Sequence, residues 1–217
     1  MWTVPNILTV GRIAAAPAVA LMVLAREPWA EVAAFALFAA AALTDFLDGW
    51  LARRLGQVSP LGTMLDPIAD KAMVILVLAA LVGRTAPETL VVGNQTWSQA
   101  PPASWLLTIP ALAIMLREVL VAGLREHLGA IKLAVTWLAK GKTAVQMVAI
   151  GLLLAPPALS QLVAMPRRYQ DFPEMMVAQA RIGDVYWLGI LLLWVAAGLT
   201  VASGIDYFRK ATPHLRG

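Results

Sequence analysis

D-F-L-D-G-W-L-A-R-R-L-G-Q-V-S-P-L-G-T-M-L-D-P-I-A-D, from Asp45 to Asp70, decides how this chain is read. Asp45, Asp48, Asp66 and Asp70 sit on apolar segments of membrane-helix length. A carboxylate in hydrocarbon costs roughly 2.5–3.5 kcal/mol even on lenient insertion scales. Four of them need compensating positive charge, and a pair of divalent cations is a compact source of it. Asp45 and Asp48 are spaced i, i+3, and Asp66 and Asp70 are spaced i, i+4. Either spacing puts two side chains on one helix face. Two helices joined by the short turn from Gly56 to Pro60 are antiparallel neighbours, so the acidic faces can meet. Four carboxylates suit hard cations such as Mg²⁺ or Mn²⁺, and a two-metal site serves in-line displacement at phosphorus.

Neighbouring residues fit the same reading. Gly49 and Gly62 weaken a helix and so mark close approach, by a ligand or equally by a packed helix. Ala52 keeps the face open, and Arg53 can bind phosphate bidentately. Pro67 can kink its helix or release a carbonyl beside the site. A lone Asp-x-x-Asp at a helix end is ordinarily a cap; it is the combination that points to chemistry.

Working outward, the chain has 217 residues, 60% of them hydrophobic and 14% charged, well above the apolar share of a soluble domain. It reads as one all-α integral membrane domain over residues 1–217. Six apolar segments, at about 5–25, 29–52, 61–83, 104–126, 134–156 and 184–207, each approach the ~20 residues a crossing helix needs. Breakers divide them: Arg26-Glu27-Pro28, the Gly56 to Pro60 turn, Gly93 to Pro102, and Pro156-Pro157. The polar stretch Ser160 to Gly183 reads as a surface loop or a short interfacial helix. There is no cysteine, which excludes disulfides, thiolate metal sites and cysteine nucleophiles. The first nine residues lack a basic region and a small-residue cleavage site, so no cleaved signal peptide is expected. Trp29, Trp105 and Trp187 read as interfacial belt residues, and Met73, Met115 and Met147 as core.

The formal charge of +4 is mild for a nucleic-acid binder and fits a cytosolic membrane face better. With both termini cytosolic, twelve of the 17 Lys and Arg fall inside, and Arg26, Arg84, Arg167, Arg168 and Arg181 fall outside. Nearly every intramembrane charge then lies at the cytosolic end of its helix: Arg12, the four aspartates, Lys71, Arg117, Glu118, Lys140 and Lys142. A polar cavity open to the cytosol requires that shared depth.

The pattern D-x-x-D-G-x-x-A-R, eight residues, G-x-x-x-D-x-x-x-D is met at Asp45, Asp48, Gly49, Ala52, Arg53, Gly62, Asp66 and Asp70. It resembles the hallmark of the CDP-alcohol phosphatidyltransferases. That resemblance implies six membrane helices, dependence on two Mg²⁺ or Mn²⁺ ions, a homodimer, and a bacterial inner-membrane location with the site facing the cytosol. It implies metal ligation by Asp45, Asp48, Asp66 and Asp70, with Asp70 as general base. Nucleotide contacts would come from Asn6, Asp48, Gly49, Ala52, Arg53, Gly62 and Asp66. V-P-N-I-L-T-V-G-R (Val4–Arg12), R-E-V-L-V-A-G-L-R-E (Arg117–Glu126) and V-T-W-L-A-K-G-K-T-A-V-Q-M (Val135–Met147) are similar to the bacterial members that make phosphatidylglycerol phosphate. The expected substrates are therefore CDP-diacylglycerol and sn-glycerol 3-phosphate, with CMP released. A dianionic acceptor needs cations beyond the metals, and Arg117, Arg125, Lys140 and Lys142 are the candidates. Each of the four reads equally well as a snorkelling headgroup contact.

Two alternatives stay open. Another member of the same family would make cardiolipin, phosphatidylserine or an inositol lipid. A cation transporter would also hold intramembrane acids, but its site would ordinarily lie at the bilayer midplane rather than on one side.

Overall fold

The computed structural model describes residues 4–55, 60–85, 88–92, 95–99, 104–128, 137–164 and 172–215. Among them the chain forms six helices and one hairpin: α1 (Val4–Ala25), α2 (Pro28–Leu55), α3 (Pro60–Arg84), β1 (Glu88–Val92), β2 (Gln95–Gln99), α4 (Trp105–Leu128), α5 (Trp137–Ala164) and α6 (Phe172–Leu215). The body is helical, as expected. The antiparallel β1–β2 pair, in register from Glu88↔Gln99 to Val92↔Gln95, adds a feature the sequence reading treated only as a loop. Gly93-Asn94 between two β-prone runs is a two-residue hairpin composition.

The helices close into a ring. α1 packs on α2 and α3, α5 on α2 and α6, and α4 on α6; α3 meets α4 and α5 least. Val19, Val77, Leu78, Ile114, Ile150 and Leu193 fill the centre and are buried. Large apolar side chains on the outside, such as Leu21, Leu43, Leu116 and Leu191, are exposed, as a lipid-facing surface requires. Five helices are long and apolar enough to cross a membrane: Asn6–Ala25, Pro28–Asp45, Trp105–Leu124, Gly141–Leu162 and Ala180–Pro213. α3 has 25 residues, but Asp66, Asp70, Lys71 and Arg84 lower its apolar character, so five rather than six spans are established by length and composition.

Proline explains two departures from the sequence reading. Pro156-Pro157 does not break a helix; both residues lie inside α5, which continues to Ala164. Membrane helices tolerate proline because neighbours satisfy or cover the freed backbone. Here Gly189 of α6 comes against α5 at the carbonyl carbon of Leu152, where a Cβ would sit 3.2 Å away. Leu152 is four residues before Pro156, so its carbonyl is the one that loses an N–H partner. The same logic ties α4 to α6. Pro110 frees the Leu106 carbonyl, and Trp194 Nε1 donates to it at 2.9 Å.

The polar stretch from 160 to 183 is corrected likewise. Residues 160–164 end α5 and 172–183 begin α6, one continuous helix of 44 residues. At 1.5 Å per residue it is about 66 Å long, roughly twice a bilayer core. Its first turns therefore extend past the apolar span.

The chain turns from α1 to α2 at Arg26, which takes the left-handed φ of 57° that usually favours glycine. Its side chain is put to use: Arg26 Nη2 donates to the Arg84 carbonyl at 2.8 Å and caps the C-terminus of α3.

Candidate active site

Three of the four aspartates converge on one guanidinium. Asp45 comes from the late turns of α2, and Asp66 and Asp70 from the first turns of α3. Arg12, buried on α1, reaches all three. Its Nη1 donates to Asp45 Oδ1 and, at 3.0 Å, to Asp70 Oδ1; its Nη2 lies 3.5 Å from Asp66 Oδ1. Thr9, one turn earlier, donates to Asp66 Oδ1 at 2.8 Å. Asn6, Thr9 and Arg12 form a buried polar stripe at three-residue spacing on α1. The carboxylates themselves are about half exposed, at 46%, 51% and 43% for Asp45, Asp66 and Asp70, against 6% for Arg12. Acids open to solvent around a buried cation describe the floor of a polar cleft.

Asp48, Gly49, Ala52 and Arg53 lie on the last turns of α2, but their side chains fall outside the described residues, as does the Gly56 to Ser59 turn. Gly62 is half-buried on the first turn of α3. No set of three acidic or histidine side chains among the described residues forms a closed metal cage by itself. Carboxylate oxygens from two helices are the donor type that hard divalent cations take, and Arg12 occupies the point that the three described ones share.

The cleft extends between α3, α4 and α5 with a volume of about 300 Å³. Asp66, Asp70 and Lys71 line one side, and Arg117, Glu118 and Lys142 the other. Two of the four basic residues expected to hold an acceptor phosphate thus share a cavity with the acids. The side chains of Arg125 and Lys140 lie outside the described residues.

Glu118 organises this basic wall. Its Oε1 accepts from Lys142 Nζ and, at 3.1 Å, from Arg117 Nη1. Arg117 Nη2 also donates to Ser203 Oγ of α6 at 3.1 Å, and Ser203 Oγ donates to the Thr200 carbonyl at 3.0 Å. Gln146 Nε2 donates to Thr200 Oγ1 at 3.1 Å. Gly204 lets the arginine pass: a Cβ there would lie 3.1 Å from Arg117 Cγ and 3.4 Å from its Nε. The sequence reading grouped Glu118 with the charges at cleft depth but did not give it this role. It also missed Thr9, Ser203 and Gly204. Thr9 was legible only as part of a subfamily-like opening, Arg12 also as one of the charges at shared depth, and Ser203-Gly204 carried no signal in sequence.

Comparison with known proteins identifies the family. The family model for CDP-alcohol phosphatidyltransferase matches residues 2–202. A CDP-diacylglycerol–glycerol-3-phosphate 3-phosphatidyltransferase of Cereibacter sphaeroides is 43% identical over 233 residues, covering 99% of this chain and 98% of the relative. One from Pseudomonas fluorescens is 37% identical, covering 98% of this chain and 92% of the relative. A cardiolipin synthase (CMP-forming) of Oryza sativa subsp. japonica is 36% identical over 96% of this chain, but over only 57% of its own length.

Proposed function

The chain belongs to the CDP-alcohol phosphatidyltransferase family, and we propose that it transfers the phosphatidyl group of CDP-diacylglycerol to the 1-hydroxyl of sn-glycerol 3-phosphate. The products are phosphatidylglycerol phosphate and CMP. One observation carries the acceptor assignment beyond the likeness to the bacterial relatives. Arg117 and Lys142 line the same cleft as Asp66 and Asp70, so an acceptor phosphate and the reacting acids fit one cavity.

Asp45, Asp48, Asp66 and Asp70 would hold two divalent cations, Mg²⁺ or Mn²⁺. Bound there, such ions supply charge neutralisation to a pyrophosphate and to its leaving group. The protein's own groups do the rest. Asp70 accepts the proton of the acceptor hydroxyl as general base. The hydroxyl oxygen bonds to the phosphorus that carries diacylglycerol, and the bond from that phosphorus to the CMP oxygen breaks. Arg12 keeps the three carboxylates together and offsets part of their charge. Arg117 and Lys142, together with Arg125 and Lys140, bind the acceptor phosphate. Asn6, Gly49, Ala52, Arg53 and Gly62 shape the nucleotide end.

We read residues 1–217 as one domain in the bacterial inner membrane. α3 serves as a sixth span, the aspartates face the cytosol, and the assembly is a homodimer. α3 crosses despite its charges because Arg12 and Thr9 meet its acids from within the bundle. Labelling single cysteines at Gln57 and Gln95 from opposite sides tests the topology, and chemical crosslinking tests the dimer. Labelled glycerol 3-phosphate should enter the lipid fraction as phosphatidylglycerol phosphate. Incorporation of labelled phosphatidylglycerol into cardiolipin instead would favour the activity named for the rice relative.

A further inference from the structure

Among the described residues, a cavity larger than the aspartate cleft lies at the other end of the bundle. It has a volume of about 510 Å³, all six helices contribute to it, and it shares no lining residue with the cleft of the aspartates. Its walls are apolar, formed by residues such as Val23, Leu81, Leu107, Leu153, Ile182 and Trp187. That is the size and character of a site for an apolar ligand.

One polar spot interrupts the walls. Glu31, 6% exposed at the side chain, accepts from Arg84 Nη2 and, at 3.2 Å, from Gln161 Nε2. The carboxylate is thereby neutralised inside the bundle. Arg84 retains 27% exposure, and Arg26 stands against its carbonyl at 2.8 Å. With Arg26 beside Arg84, two guanidiniums meet one carboxylate here, and the positive charge left over matches a phosphodiester. The depth agrees. Trp187 lines the cavity, and Trp29 and Trp105 begin α2 and α4 at the same end; all three are more than half exposed, as belt residues at headgroup level are.

We propose that this cavity is a lipid site. A glycerophospholipid of the leaflet opposite the aspartates inserts an acyl chain between the helices and rests its phosphodiester on Arg84. The site is separate from that of the CDP-linked donor, whose cleft lies at the other end. It binds a structural lipid, and its existence does not depend on the acceptor assigned above.

Gly183 provides the test. It lines the cavity, and a Cβ built there meets nothing within 4 Å, so a larger side chain enters open space. Detergent-purified protein is mixed with dioleoyl phosphatidylethanolamine or with dioleoylglycerol, which lacks the phosphate, and bound lipid is read by native mass spectrometry. The unaltered protein should retain one phospholipid about tenfold better than the diacylglycerol, the ratio of one good charged contact. Gly183→Phe and the milder Gly183→Leu should lose the phospholipid while CMP release persists. In the paired variant Glu31→Gln/Arg84→Gln the two lipids should bind alike. Equal retention of both lipids by the unaltered protein would overturn the phosphodiester contact. Undiminished phospholipid in active Gly183→Phe or Gly183→Leu protein, or a cavity filled only by detergent or by a second copy of the chain, would overturn the site.

Discussion

Arg12 Nη1 lies 3.0 Å from Asp70 Oδ1, and the same guanidinium also binds Asp45 and approaches Asp66. One buried cation from α1 therefore bridges three acids drawn from α2 and α3 and offsets part of their charge. Without it their mutual repulsion would rise.

Arg12→Gln should lower thermal stability measured without divalent metal, by about 1–3 kcal/mol for charged partners left unmatched. Mg²⁺ or Mn²⁺ should then raise the melting temperature of the variant more than that of the unaltered protein. An equal metal response in both would mean that Arg12 is not the balancing charge.

Asp70→Asn removes the proposed general base but keeps the shape. CMP release should fall about 10²–10⁴-fold, the usual contribution of a positioned base, with the fold and the KM for CDP-diacylglycerol retained. A folded Asp70→Asn protein with full turnover would rule out this role.

Arg117 is set by α6 as much as by its own helix. Ser203→Ala removes a hydrogen bond to a charged group, a loss of about 1.5–3 kcal/mol. Gly204→Ala puts a methyl group where Arg117 Cγ now lies 3.1 Å from the position of a Cβ. Both variants should raise the KM for glycerol 3-phosphate about tenfold or more while leaving the KM for CDP-diacylglycerol unchanged. A parallel rise in both constants would point to general loosening of the bundle instead.

Trp194 and Pro110 form a testable pair. Trp194→Phe strands the Leu106 carbonyl that Pro110 has already freed, at a cost of about 1–3 kcal/mol. In a Pro110→Ala background the backbone N–H returns as a partner, so the same substitution should cost less. Strict additivity in a double-mutant cycle would refute the coupling.

The aspartates and the apolar segments were legible because their signals are local. Spacing of three or four along a helix is visible in a string, and about twenty apolar residues are visible as a run. Thr9, Glu118, Ser203 and Gly204 were not assigned their roles. Each matters through a neighbour on another helix, 86 positions away in the pairing of Arg117 with Ser203. Pro156-Pro157 misled for a related reason. Proline breaks a helix in water, but α5 continues through it, with α6 packed closely at Gly189, a residue distant in sequence. The polar turns of α6 before Gly183 read as a surface loop or a separate short interfacial helix because they outrun the apolar period, although they continue one long helix.

The most direct test of the central claim is CMP release from CDP-diacylglycerol by lipid-reconstituted protein, with glycerol 3-phosphate, serine, inositol or phosphatidylglycerol supplied in turn, with and without a chelator. Release with glycerol 3-phosphate alone, abolished by the chelator and restored by Mg²⁺ or Mn²⁺, is the expected result. Release only with a different alcohol would contradict the acceptor assignment, and no release with any acceptor from folded protein would contradict the transferase reading itself.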